Sequence, residues 1–284
     1  MFGNTGLDRM IRSALTPDLS LVTYLQLRNL LLLAPLLVAL LSVSNAWADE
    51  PLDSVAPTGR DGSNFGVGLA IGNRQRPYKG LGSDTRVLPV LSYENSWVRL
   101  QGLGATFKLA RTDNVTFGLK VDYSLGGYKA SDAPILSGME DRKGGLWVGP
   151  NVRWRTDYVN VSAEVSTDLA GHSKGTQARF SLDKTFRLGG FGITPRVSAQ
   201  WLDRKYVDYY YGVNATEVRS DRAAYDGGSS VNLELGLRTG YALAPNQSVF
   251  LDLSTTRLGN GIKNSPLVDK STQSGFRVAY IYRF

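Results

Sequence analysis

From Asn64 to the carboxyl terminus the chain alternates apolar with polar or small side chains at period two, segment after segment, and that rhythm admits strands and little else. In 158–168, Val159, Val161, Ala163 and Val165 alternate with Asn160, Ser162, Glu164 and Ser166. Val115, Phe117, Leu119, Val121 and Tyr123 oppose Thr116, Gly118, Lys120, Asp122 and Ser124, and Val231, Leu233, Leu235 and Leu237 oppose Asn232, Glu234, Gly236 and Arg238. The last segment ends on an aromatic stripe, Phe276, Val278, Tyr280, Tyr282 and Phe284, because alternate side chains of a strand share one face. A soluble sandwich would bury such a stripe, whereas the terminal strand of an outer-membrane barrel shows it to lipid and ends on an aromatic residue that the barrel-insertion machinery reads.

Residues 28–48 favour the second setting. Arg28 and Asn29 precede an apolar run from Leu30 to Val43, followed by Ala46 and Ala48 as the small pair of a signal-peptide cleavage site. The run is shorter than the roughly 20 residues a membrane-spanning helix needs, and past it there is no apolar run long enough for one. Whatever embeds the chain is therefore strands. The expected organisation is an extended leader with signal peptide over 1–48, a flexible periplasmic lead-in over 49–63, and an outer-membrane β-barrel over 64–284.

Twelve strands are expected, roughly at 64–73, 84–93, 96–101, 103–110, 114–126, 144–156, 158–169, 174–187, 190–203, 229–242, 247–258 and 273–284. The fold class is thus all-β, a transmembrane antiparallel up-and-down barrel with the even strand number of bacterial single-chain barrels. Tight links such as Glu94-Asn95 and Asp157 alternate with long ones at 74–83, 127–143, 204–228 and 259–272, the asymmetry of periplasmic turns and outer loops. Closure follows because no backbone donor or acceptor is tolerated unpaired in hydrocarbon. Aromatic residues near strand ends, Tyr93, Trp97, Trp154, Tyr158, Trp201 and Tyr241, suit the girdles at headgroup level. Pro89, Pro150 and Pro195 fall inside proposed strands, where each deletes a ladder hydrogen bond, so bulges or shifted boundaries are expected there.

The inward positions are charged: Lys120, Arg153, Arg155, Arg179, Arg196 and Arg238 among the cations, Glu164, Asp183 and Glu234 among the anions. Two readings stay open. Either these groups pair into a plug-like interior, or they line a weakly anion-preferring pore. The chain has no cysteine, one histidine and a net charge of +7. Its basic residues are scattered through the strands, so no nucleic-acid partner is expected. No cofactor and no metal centre of the usual transition-metal type are expected either.

His172 stands beside Ser173, with Asp168 four residues before, at an outer loop where a membrane hydrolase would keep its site. Neighbours on a strand or tight loop diverge, and a base must lie within hydrogen-bond reach of its nucleophile, so no catalytic residue is expected. The loop 204–228 holds Tyr206, Tyr209, Tyr210, Tyr211 and Tyr225, which either form a recognition surface or pack the loop over the barrel mouth.

Some of these residues resemble a known family. Tyr78, Gly80, Ser83 and Asp84 leading into Pro89 and Tyr93, then Tyr211, Gly212 and Val213 with Glu217 and Tyr225, and the terminal Tyr280, Tyr282 and Phe284, resemble the MipA/OmpV family of outer-membrane proteins. The resemblance covers about 64–284 and accounts for Pro89 as a family feature. It implies residence in the bacterial outer membrane among lipid and lipopolysaccharide, no enzymatic activity, and a scaffold role joining a periplasmic lytic transglycosylase to a murein synthase. Other members are porin-like, so a channel for small solutes is the rival reading and a rim-site hydrolase the third.

Overall fold

The computed structural model describes residues 64–284, so the leader, the lead-in and the cleavage residues Ala46 and Ala48 lie outside it. Thirteen strands form one sheet: β1 (Asn64–Gln75), β2 (Ser83–Glu94), β3 (Val98–Gln101), β4 (Gly104–Arg111), β5 (Val115–Ser124), β6 (Gly145–Arg155), β7 (Asn160–Asp168), β8 (Thr176–Asp183), β9 (Phe186–Leu188), β10 (Phe191–Leu202), β11 (Ser230–Ala244), β12 (Gln247–Arg257) and β13 (Thr272–Arg283). β8 and β9 are two halves of one stave, broken at Lys184-Thr185, since both pair with β10. Twelve antiparallel staves therefore close on themselves through β1 and β13, from Gly66↔Arg283 to Arg74↔Gly275. This is the closed barrel that the alternation implies, with no free ends to its ring.

The alternation sorts as a membrane barrel requires. On β11, Leu233, Leu235 and Leu237 are 53%, 59% and 39% exposed, while Arg238 opposite them is 3% exposed. Such a file of bare leucines is a solvation penalty in water and a match for lipid. On β13, Phe276, Val278 and Tyr280 face outward, and Ala279 and Ile281 are buried inside. Phe284 stacks on Phe65 with ring centroids 5.6 Å apart, and its N–H donates to the Phe65 carbonyl at 2.9 Å, so the terminal aromatic pins the seam.

The prolines correct an expectation. Pro89 pairs with Leu69, Pro150 with Leu119 and Pro195 with Leu237 in unbroken register, with no bulge at any of them. Each ring points outward, and the proline takes one donor from the ladder without shifting the strand beside it. Pro195 faces the break between β8 and β9, where its carbonyl accepts from the Lys184 N–H at 3.4 Å. Pro150 faces a gap in the β6–β7 ladder between Val148↔Thr167 and Asn151↔Glu164. Pro89 lies above the point where β3 stops, since β2 pairs with β3 only over Ser92↔Gln101 to Glu94↔Arg99. At Pro150 and Pro195 the neighbouring strand runs on past the proline, and only at Pro89 is it absent.

Candidate functional site

Two features of the barrel bear chemistry, its charged interior and the cap on its long-loop rim. Inside, Lys120 lies 2.9 Å from Asp122 and 3.0 Å from Glu164, bridging β5 to β7. Arg153 on β6 reaches Asp183 on β8 at 3.3 Å. Arg196 pairs with Glu234 at 3.0 Å and approaches Asp252 at 3.6 Å, while Arg238 holds Asp252 at 2.7 Å and Arg179 nears Glu234 at 3.9 Å. Eight of the nine interior charges read from the sequence are thus joined with Asp122 and Asp252 in ion pairs, all but Lys120–Asp122 running across strands, as expected of charges held away from bulk water. Glu234 and Asp252 bridge the network. Arg155 differs: it sits at the short-turn rim and is exposed.

The cap comes from four loops, 76–82, 125–144, 203–229 and 258–271, which start on different sides of the ring and share one apolar core. Tyr78 and Leu81 come from the first, Tyr128, Leu136 and Met139 from the second, Val207 and Val213 from the third, and Ile262, Leu267 and Val268 from the fourth. Loops rising from opposite sides of a ring meet only by crossing its mouth. The third loop opens with helix α1 (Arg204–Tyr211), capped by the Asp203 carboxylate accepting from the Tyr206 N–H, and the fourth holds the short helix α2 (Asn260–Lys263). Hydrogen bonds stitch loop to loop: Tyr78 Oη donates to the Tyr210 carbonyl at 3.1 Å, Tyr210 Oη to Lys143 O at 3.0 Å, Tyr225 Oη to Gly261 O at 3.0 Å and Ser265 Oγ to Tyr211 O at 2.6 Å. The tyrosine-rich loop therefore packs down over the mouth.

The two loop motifs that carry the family resemblance meet here. Tyr78 stacks on Tyr211 at 5.5 Å and stands edge-on to Tyr128 at 4.9 Å. Gly80 adopts φ +75°, which a side chain resists, and Val213 pairs with Tyr225. Gly212 ends α1, where an added Cβ would sit 2.3 Å from the Asp208 carbonyl oxygen. Glu217 is 4% exposed and accepts from Arg142 Nη2 at 2.9 Å. Ser83, Asp84, Pro89 and Tyr93 instead belong to β2, with Asp84 ion-paired to Arg86.

Sequence reasoning missed Arg142 and Arg222, the cap's polar centre. Arg222 is 1% exposed and donates from Nε and Nη2 to the Glu217 carbonyl, at 2.8 and 2.6 Å. The signal available was an apolar group, Ile135, Leu136 and Met139, in the middle of the long outer loop 127–143.

The histidine loop has no hydrolase geometry. Asp168 accepts from Ser173 Oγ at 2.8 Å and from the Ser173 N–H at 2.6 Å, tying the loop to the end of β7. His172 Nδ1 lies 2.6 Å from the Gly144 carbonyl oxygen, so base and hydroxyl have separate partners. Among the described residues no group of three or more His, Cys, Asp or Glu is placed to hold a metal ion.

Burial raises the cap's phenols. Tyr128 is pushed up to about 12, and Tyr78 lies well above 10, raised first by burial and then by Tyr211 and its other tyrosine neighbours. An unfolded phenol titrates near 10, so this contribution to cap stability is whole below that pH and is lost as pH climbs from about 10 through about 12. A tyrosinate absorbance titration should show these phenols ionising late, together with loss of cap protection from protease. Ionisation of all tyrosines near pH 10 with the cap intact would contradict their burial.

A closed antiparallel ring with an apolar exterior and a charged, paired interior defines an outer-membrane β-barrel protein. Within that class, the chain belongs to the family described as MltA-interacting protein MipA, whose model matches residues 67–284. It is 28% identical over 225 residues to the MltA-interacting protein of Escherichia coli strain K12, covering 78% of this chain and 90% of that one. It is 28% identical over 183 residues to outer membrane protein OmpV of Vibrio cholerae, covering 64% and 71%. A looser likeness, with TM-score 0.42 and 14% identity over 83% of this chain and 99% of the other, is to an outer membrane channel from Pseudomonas putida F1.

Proposed function

We propose that this barrel is a non-enzymatic scaffold that gathers a lytic transglycosylase and a murein synthase beneath the outer membrane. The capped mouth carries this reading. Four packed loops cross the lumen on the outer rim, and the interior cations are paired with carboxylates, an arrangement suited to a closed wall anchor more than to solute flow. The opposite rim offers short turns around Ser96, Asp157 and Asn246, together with the Phe284 end of the seam. The printed name of the Escherichia coli relative, MltA-interacting protein, supplies the partner class.

The test is photo-crosslinking in intact cells from Ser96, Asp157 and Asn246, with Asp221 in the cap as the control position. A murein hydrolase or synthase captured from the turns and not from Asp221 is the expected result. Absence of both enzymes from all three turns sinks the scaffold. The purified barrel should be silent in planar bilayers, whereas stable open channels would favour the porin-like alternative.

A further inference from the structure

The outer half of β2 has a neighbour on one side only. β1 pairs with all of it, from Asn64↔Glu94 to Gln75↔Ser83, whereas the contact with the β3–β4 hairpin stops where the Gly102 N–H meets the Leu91 carbonyl at 3.0 Å. Beyond the hairpin the Leu103 carbonyl accepts from the Tyr123 N–H at 3.3 Å, so above Gly102 and Leu103 the wall is two strands short. Eight residues, Ser83 to Val90, run along the open side, an edge of roughly 26 Å at about 3.3 Å per residue.

The N–H and C=O of one residue point to the same side of an antiparallel strand. Since Leu91 faces the hairpin, Ser83, Thr85, Val87 and Pro89 turn their carbonyls, and the first three their N–H groups, into the gap. None of these groups has a backbone partner there among the described residues. Pro89 is the residue with no donor to lose, which is how edge strands tolerate proline. Backbone left unpaired against hydrocarbon is heavily penalised, so water or a polar group must reach this edge.

The gap is framed as a window. Arg76, just past β1, donates to the Gly127 carbonyl at 2.7 Å and pairs with Asp132 at 3.3 Å, so the loop after β5 is tied across the top of β1 and β2. The cap above it blocks the direct route outward. Inside, Val90 packs with Ala70, Phe250, Ala279 and Ile281 in a buried apolar cluster, while Val87 on the outer face is 56% exposed.

We propose that this window is a side door by which apolar or amphipathic small molecules pass between the barrel interior and the outer leaflet. It adds passage of uncharged molecules to a barrel closed to ions, and the scaffold reading is tested separately by ion conductance and by crosslinks on the other rim. The alternative occupant is a strand from another polypeptide, which would pair with the same edge.

Alternate amides of β2 provide an internal control. In the full chain folded in lipid nanodiscs, the Thr85 and Val87 amides should exchange with solvent at least about a hundredfold faster than those of Arg86 and Leu88, which bond to β1. Equal protection would overturn the door, since the edge would then be covered. For transit, the chain has no cysteine, so Val87→Cys can be labelled after folding with a bulky maleimide. In cells, the protein should raise the entry rate of N-phenyl-1-naphthylamine, and the label should return that rate to the level without the protein while murein-enzyme crosslinks persist. Entry unaffected by the protein, or by the label, refutes the proposal. Capture of a second polypeptide by a photo-crosslinker at Val87, with the edge amides protected, would make this a strand-docking site instead.

Discussion

Gly68→Ala should leave this chain unable to close its barrel. A Cβ at Gly68 would sit 2.0 Å from the Tyr280 carbonyl oxygen, 3.0 Å from its carbon and 3.1 Å from the Ile281 Cα, all of them backbone of the strand that β1 must meet. A flexible side chain would yield to such a contact, but a ladder yields only by separating. The seam joins the first and last staves, so its contacts bridge more than 200 residues of chain and come late in any closure. A penalty at or above about 3 kcal/mol, the upper part of the overpacking range, is expected. The measurement is the mobility difference between unboiled and boiled samples on a gel: the parent should show a fast folded form and Gly68→Ala should lack it. Gly82→Ala, with no atom within 4 Å of the added carbon, is the matched control and should fold normally. A folded Gly68→Ala barrel would mean that β1 and β13 meet in another register.

Glu217→Ala should release the cap while sparing the barrel. The carboxylate accepts from Arg142 Nη2 at 2.9 and 3.2 Å, from the Glu140 N–H at 3.0 Å and from the Asn214 N–H at 3.0 Å. Its side chain and that of Arg142 are 4% and 5% exposed, and deletion leaves Arg142 only the exposed Glu140 at 3.1 Å, a loss toward the lower end of the roughly 3–5 kcal/mol for breaking a buried pair. The barrel has its own closed ladder and does not depend on this pair. The variant should therefore keep its gel shift, become cleavable by protease in 127–143 and 204–228, and show channel openings in planar bilayers where the parent is silent. Glu217→Gln, which keeps the acceptor oxygen but not the charge, should fall between the two. A variant whose loops resist protease as the parent's do would show that the apolar core around Leu136 and Ile262 holds the cap without the ion pair.

How much was legible in the sequence follows from the range of each interaction. Period two, tight-turn chemistry and the Phe276 to Phe284 stripe are local, and they place all twelve staves to within a few residues, with Val278 and Tyr280 on the lipid side. The break at Lys184-Thr185 left one trace, a lysine at the outward position between Leu182 and Phe186, but the alternation resumes after it and reads as one strand. The prolines were misjudged for a related reason. A proline in a strand announces a missing donor, and only the register of its neighbours shows whether the strand bulges around it.

The candidate site divides along the same line. Inward charges such as Lys120, Arg153 and Glu234 follow from strand parity alone. Their partners lie 30 or more residues away in several cases, as in Arg153 with Asp183 and Arg196 with Glu234, so the pairing depends on shear and register. Tyr78 and Tyr211 stand in motifs far apart along the chain, and only the closed ring brings their loops together over the mouth. Nothing in the sequence separates Arg142 and Arg222 from the other loop cations. By itself the sequence determined a membrane barrel, its strand count and which face of each strand meets lipid, since these follow from side-chain alternation. The tertiary structure alone decided that the long loops cover the mouth and that β2 has a bare edge, because both depend on which distant segments reach each other once the ring is closed.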